Sequence, residues 1–210
     1  MKKKIVIIDY GLGNIHSVKQ SLKRIFEENN QSAKVHVINN AKDLRTATHI
    51  ILPGQGAFAS CMQGLKSIPG LVDELSESVL FQKKPFLGIC VGMQLLANIG
   101  YENGNHAGLG WVSGEIKKMP QTNLKLPHMG WNEVVIKKNN DLIQKENKYN
   151  YYFVHSYYFD CKSKENEVAT TDYGLNFTSI ISKENIYGVQ FHPEKSSLHG
   201  LRLLKNFINL

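Results

Sequence analysis

Residues 5–9 (Ile-Val-Ile-Ile-Asp) form a nearly unbroken apolar run. Such a run, without polar alternation, fits a strand buried on both faces, which is the environment of a parallel sheet. It ends at Gly11-Leu12-Gly13-Asn14, after which Ile15, Val18, Leu22, Ile25 and Phe26 recur at the spacing of one helix face. The same grammar continues. Residues 35–38 and 49–52 read as a second and a third strand, and Pro53-Gly54-Gln55-Gly56 as a turn-rich loop. Pro69 is placed to open a helix through Leu71, Leu75 and Leu80. Residues 85–89 then read as a fourth strand, with a helix opening over 91–97. Beyond about Gly100 the segments become shorter, alternating or aromatic: 132–136, 151–159, 167–171, 178–181 and 187–191. These suggest antiparallel or mixed strands. A last helix, Ser197–Ile208, carries Leu201, Leu204, Phe207 and Ile208 on one face. With no repeat and no low-complexity stretch, the expectation is one α/β domain over residues 1–210. Its central sheet should be mostly parallel and flanked by helices, with a mixed or antiparallel extension.

Composition narrows the class of function. At 210 residues, 42 % hydrophobic and 20 % charged, the chain has the make-up of a folded globular protein. No window approaches the apolar length needed to cross a bilayer. The opening Met-Lys-Lys-Lys and the apolar run after it are interrupted by Asp9, without a small-residue cleavage site, so a first strand is expected rather than a signal peptide. A cytoplasmic location follows as an expectation. Three cysteines at 61, 90 and 161 make no CxxC pair, which excludes a zinc ribbon and a dithiol redox motif. The net charge of +7 sits on scattered lysine pairs with no basic helix or aromatic platform, so neither nucleic-acid nor membrane partners are expected.

Gly88-Ile89-Cys90-Val91-Gly92 lies where a buried strand hands over to a helix. That is the arrangement of a nucleophile elbow, in which glycines relieve the crowding of a sharp turn. The turn would project the thiol toward free N–H groups and the positive end of a helix, which favour thiolate. The Val91 N–H would then face a developing oxyanion. Cys61 and Cys161 have no such setting and read as structural. A thiol nucleophile needs a base, and the base an orienting carboxylate. His192 follows an apolar strand and is followed by Pro193 and Glu194, near enough for the carboxylate to turn back on the imidazole. The remaining histidines lack the spacing of a zinc helix, so no metal and no cofactor is expected. Gly11-Leu12-Gly13-Asn14 lacks the third glycine of a dinucleotide fingerprint, with His16 in its place.

Three blocks, Pro53-Gly54-Gln55-Gly56-Ala57-Phe58, Gly88-Ile89-Cys90-Val91-Gly92-Met93-Gln94 and Gln190-Phe191-His192-Pro193-Glu194-Lys195, resemble the class I (triad-type) glutamine amidotransferases in their order. Ile8-Asp9-Tyr10-Gly11-Leu12-Gly13-Asn14, Gly108-Leu109-Gly110-Trp111, Pro127-His128-Met129-Gly130-Trp131-Asn132 and Tyr152-Phe153-Val154-His155-Ser156-Tyr157 are similar to the glutaminase subunits of imidazole glycerol phosphate synthase, the HisH type. That resemblance runs the length of the chain.

The resemblance implies that Cys90 attacks the side-chain amide of L-glutamine. His192, oriented by Glu194, would protonate departing ammonia and later activate water against the thioester. It implies an oxyanion hole from the N–H groups near Gln55 and of Val91. It implies a glutamine pocket drawn from Gly54, Gln94, Glu102, His155, Ser156 and Tyr157, with Glu102 pairing with the α-ammonium. Asn14, Pro127, His128, Met129, Trp131 and Lys195 match positions facing a cyclase (HisF-type) subunit in a heterodimer, which would receive the ammonia. Gln55 stands where the family often has a small apolar residue, and the 53–56 loop is expected to rearrange for catalysis. Two alternatives keep the fold: a paralogue feeding ammonia to a related synthase, as in surface-sugar modification, and a catalytically inactive scaffold.

Overall fold

The computed structural model describes residues 3–29, 33–145 and 148–210. β1 (Lys4–Ile8) leads into α1 (Ile15–Glu28), which buries Val18, Leu22, Ile25 and Phe26, the residues its periodicity marks. There follow β2 (Lys34–Ile38), β3 (His49–Gly54), α2 (Phe58–Ser67) and α3 (Leu71–Ser76), the last running into a π turn at Glu77–Phe81. β4 (Phe86–Cys90) is joined directly to α4 (Val91–Gln94). The second half contains β5 (Ile99–Gly100), β6 (His106–Ala107), β7 (Gly114–Lys118), β8 (His128–Ile136), β9 (Tyr149–His155) and β10 (Tyr157–Cys161). β11 (Glu167–Asp172), β12 (Asn176–Lys183), β13 (Ile186–Val189) and α5 (Ser197–Ile208) complete it.

The strands run in the order β2-β1-β3-β4-β13-β12-β10-β7-β5-β6. From β2 to β13 every neighbour is parallel. Every residue of β3 and β4 is buried, which is why those segments read as continuous apolar runs. Each such side chain contributes roughly 1.5–3 kcal/mol of transfer free energy before entropy is counted. Beyond β13 the pairing becomes antiparallel through β12, β10 and β7, the mixed extension expected of the aromatic half. β11 pairs with β12 and hands over to β8, so the β8–β9 ribbon stands off the main sheet beside the ends of β4 and β13.

Four local expectations are corrected. Pro69 does not start the helix: Gly70, at φ 69°, precedes its first residue, Leu71. The helix over 91–97 is one turn long. Leu96 and Ala97 donate to Met93 and Gln94 at three-residue spacing, and the carbonyls of Leu95, Leu96, Ala97 and Asn98 accept from Leu109, Val112, Gly110 and Gly108. A neighbouring loop thereby satisfies groups that a longer helix would have used. The 151–159 segment breaks at Ser156, because β9 pairs with β8 while β10 pairs with β7 and β12. Pro53 and Gly54 belong to β3 rather than to the loop, which begins at Gln55.

Candidate active site

β4 stops at Cys90, whose backbone sits at φ 55° and ψ −112°. For a residue with a Cβ, such a conformation costs on the order of 1–3 kcal/mol and persists only where its surroundings dictate it. They do so here by close packing. A Cβ on Gly92 would lie 1.8 Å from the Leu52 carbonyl oxygen, and one on Gly88 would lie 2.5 Å from that of Gly92. The thiol is 4 % exposed. Gln190 Nε2 donates toward its sulfur at 3.8 Å, and the Val154 carbonyl lies 4.0 Å away. α4 is a single turn, so no extended helix dipole lies behind the sulfur.

His192 follows β13 on the neighbouring parallel strand, and its N–H is held by the Tyr152 carbonyl at 2.9 Å. Its Nδ1 donates to Glu194 Oε1 at 2.9 Å, with the two side chains 4 % and 1 % exposed. Burial by itself would lower the imidazole pKa. The charge interaction with Cys90 and the hydrogen-bonded Glu194 carboxylate outweigh that and push it up to about 10. Nε2 is buried, makes no hydrogen bond to any described residue, and borders the same cleft as Cys90. Ser196 Oγ donates to the His192 carbonyl and Asn14 Nδ2 approaches Glu194 Oε1 at 3.5 Å, fixing the turn from both sides.

The 53–56 segment is anchored beneath the thiol. Tyr10 OH donates to the Pro53 carbonyl at 2.9 Å and Cys61 Sγ to that of Gln55 at 3.5 Å. Gly54 is in register with Cys90, and a Cβ there would meet Gly92 N at 2.5 Å. Ile50 N–H donates to Pro85, so alternate residues of β3, Gly54 included, turn their backbone groups toward β4. That places the Gly54 carbonyl on the Val91 side. The Gln55 N–H, on the opposite edge of the same peptide, is turned away. The two donors expected to form an oxyanion hole therefore do not both aim at the cleft in this conformation.

The cleft has a volume of about 260 Å³ and brings together most of the predicted pocket residues. Gln94 Nε2 spends both hydrogens, on the carbonyl of Tyr157 and Oε1 of Gln190, each at 3.1 Å. Its own oxygen is left as an acceptor. Glu102 Oε2 accepts from the Phe58 N–H at 2.7 Å, which fixes this acid at the start of α2 on the cleft wall. Ser156 and Tyr157 line the cleft as expected. Gly54 does not: it is packed beneath Val91 and Gly92. The ring of His155 is already committed, donating through Nδ1 to Tyr157 O at 2.8 Å and facing His128 Nδ1 through Nε2 at 3.0 Å. It borders the cleft without a free ring nitrogen.

The positions expected to face a partner divide. Met129 and Trp131 are 61 % and 55 % exposed on the outer face of β8, with Val135 further along at 47 %. Trp131 meets Tyr152 of β9 edge-on, and Lys195 Nζ lies 5.8 Å over the Tyr152 ring. Pro127 lines the cleft and Asn14 touches Glu194. His128 departs from the expectation. It is 2 % exposed and stacked between Phe153 and Tyr173, so its side chain faces inward. Its strand alternates, and only the odd-numbered side chains from 129 to 135 point out. The residue-level reading also passed over Gln190 and Tyr10. Their side chains act on neighbours distant in sequence, and no local pattern marks such contacts.

A cysteine on a strand-to-helix elbow, a carboxylate-held histidine beside it and a polar cleft in front are the elements of a triad amidotransferase. The family described as class-I glutamine amidotransferase matches residues 6–210, and the chain belongs to it. The chain is 44 % identical over 209 residues to "Imidazole glycerol phosphate synthase subunit HisH" of Pelagibacter ubique, covering 98 % of this chain and 99 % of that one. It is 46 % identical over 208 residues to "Imidazole glycerol phosphate synthase subunit HisH 1" of Campylobacter jejuni strain RM1221, covering 98 % and 100 %. Among solved structures, a glutamine amidotransferase superposes with a TM-score of 0.73 at 17 % identity, covering 97 % of each chain. Another, from Thermotoga maritima, gives 0.64 at 18 %, covering 100 % of this chain and 82 % of that one. These two likenesses concern the fold.

Proposed function

We propose that the chain is the glutaminase subunit of imidazole glycerol phosphate synthase, hydrolysing L-glutamine at Cys90 and passing ammonia to a cyclase subunit. The cyclase uses it to form imidazole glycerol phosphate and aminoimidazole carboxamide ribotide. Glutamine enters the cleft with its α-ammonium toward Glu102 and the Gln94 oxygen. The Cys90 thiol passes its proton to His192 Nε2 as the sulfur attacks the side-chain carbonyl, and the new C–S bond places negative charge on the carbonyl oxygen beside Val91 N–H. His192 delivers its Nε2 proton to the leaving nitrogen, and ammonia departs as the thioester forms. The same nitrogen then takes a proton from water, which attacks the thioester and releases glutamate. Glu194 holds the imidazole in the tautomer that leaves Nε2 free.

The observation that carries the partner reading is the β8–β9 ribbon. Its outer face presents Met129, Trp131 and Tyr152, while the carbonyl of Val154 on β9 lies 4.0 Å from the Cys90 sulfur. A subunit seated on that face sits one strand away from the point of ammonia release. Exposed aromatic and apolar side chains grouped in this way are the usual make-up of a docking surface. The orientation of the Gln55 N–H supports a resting site that becomes competent when the 53–56 loop rearranges in the complex. The cysteines are unpaired and buried, in keeping with a reducing cytoplasm. The test is glutamate release from glutamine by this chain alone, and with the cyclase subunit and its ribotide substrate. Strong stimulation by the loaded partner is expected. Equal turnover in both mixtures overturns the coupled reading.

A further inference from the structure

Gln190 is wholly buried at the end of β13, yet it carries a primary amide. A buried amide without partners costs about 1–3 kcal/mol, so its contacts identify its use. Both ends are engaged. Its Oε1 accepts from Gln94 Nε2 at 3.1 Å, and its Nε2 points to the Cys90 sulfur at 3.8 Å.

The orientation of this amide is dictated from elsewhere. Tyr157 O is a carbonyl and can only accept, so Gln94 must present its nitrogen both to it and to Gln190. Gln190 is then obliged to turn its oxygen to Gln94 and its N–H to sulfur. The same carbonyl accepts from His155 Nδ1 at 2.8 Å, which makes the His155 Nε2 an acceptor for His128 Nδ1 at 3.0 Å. His128 Nε2 in turn accepts from Asn132 Nδ2 at 3.2 Å, and Asn132 is tied by the same nitrogen to Asp172 O at 2.9 Å. Burial pulls His128 down to about 4 and His155 to about 3, so both are neutral near pH 7, each with one donor and one acceptor. Every link has a single permitted direction.

We propose that Gln190 is a positioning residue for the Cys90 thiol, held in one orientation by Gln94, which the Tyr157 carbonyl fixes in turn. Its N–H stabilises negative sulfur and fixes the rotamer from which the thiol attacks. The inference rests on Cys90 being the nucleophile. The other titratable groups around the sulfur are His192 and Glu194 after β13, Tyr10 after β1, Cys61 on α2, and Glu102 and Tyr157 at the cleft. All of these stay unchanged in the variants below.

The experiment compares Gln190→Met and Gln190→Glu with the unaltered protein. The rate of Cys90 alkylation by iodoacetamide is followed against pH on the Cys90 peptide by mass spectrometry, so Cys61 and Cys161 do not contribute. Met removes the donor at similar volume. Glu retains the oxygen that Gln94 needs and keeps the variant testable if Met disturbs packing. Both midpoints are expected to rise by about one pH unit, the range of a hydrogen bond to a charged group. In glutamine hydrolysis kcat should fall more than KM changes. Superimposable profiles for the Gln190 variants overturn the inference even if activity falls. If Cys90 in the unaltered protein is no more reactive than Cys61 or Cys161, the nucleophile assignment itself fails and takes the inference with it.

Discussion

Glu194 Oε1 accepts from His192 Nδ1 at 2.9 Å inside the protein, and this one bond leaves Nε2 as the imidazole nitrogen without a described partner. With Nδ1 committed, Nε2 is left beside the Cys90 cleft, and in the proposed reaction it is the nitrogen that gives and takes protons. Glu194→Gln keeps the shape but not the charge and allows the amide to turn its NH₂ toward the ring. Glutamine hydrolysis in the assembled complex should drop on the order of 10²-fold or more in kcat, with a smaller change in KM. Steady-state glutamate release measures this, and wild-type kcat in the variant would remove Glu194 from the mechanism.

Cys90→Ala should abolish glutamine-dependent synthesis by the complex. Synthesis from added ammonium salts should persist, because the cyclase reaction needs ammonia and not the thiol. Measuring product formation with each nitrogen source separates the two. Loss of both would show that Cys90 does more than feed ammonia.

The neutral histidine pair makes stability depend on pH. His128 and His155 have folded values depressed to about 4 and about 3 by burial, against about 6.5 in an unfolded chain. Between those values the unfolded state binds more protons, so the contribution of this pair is full above about pH 6.5 and falls as pH drops toward 4. Each group accounts for a loss on the order of 1–3 kcal/mol. Denaturant midpoints at pH 7.5 and pH 4.5 should differ in this sense, and His128→Asn should flatten the slope. A midpoint that rises on acidification would contradict the burial of these rings as neutral groups.

Trp131 is 55 % exposed, so its removal should leave the isolated subunit stable while weakening the complex. Trp131→Ala is expected to raise the dissociation constant for the cyclase subunit about 30-fold, the scale of a 2 kcal/mol interface anchor. Calorimetric titration measures it. Unchanged affinity would place the partner elsewhere on the surface.

Two glycines near the thiol should respond differently to alanine. At Gly92 the added carbon would lie 1.8 Å from the Leu52 carbonyl oxygen, so β3 and α4 must separate. Gly92→Ala should fail to fold or lose several kcal/mol. Gly56 has open space around it and φ +100°, so Gly56→Ala meets backbone strain alone, about 1–2 kcal/mol. Thermal melts of the two variants test the contrast.

Much of the fold was legible because burial leaves a local signature. Fully buried parallel strands must be apolar without alternation, and β1, β3 and β4 are; α1 repeats its apolar residues every three to four positions because one face is covered. What was misread depended on partners remote in the chain. The helix after Cys90 stops at Gln94 because a loop more than ten residues downstream takes the next carbonyls. β9 and β10 separate at Ser156 because different strands claim them.

The α/β frame, the cysteine at its strand-to-helix turn and the histidine and carboxylate after β13 were all legible in local sequence. Glycines that permit one backbone shape, and apolar runs that must be buried, are properties of neighbouring residues. Strand pairing alone sets that His128 faces inward, that Gly54 lies beneath the cleft rather than in it, and that Gln190 aims an N–H at the thiol. The physical reason is that a side chain's direction and its hydrogen-bond partner depend on strand register and on groups up to a hundred positions away. Those are settled only when the strands come together.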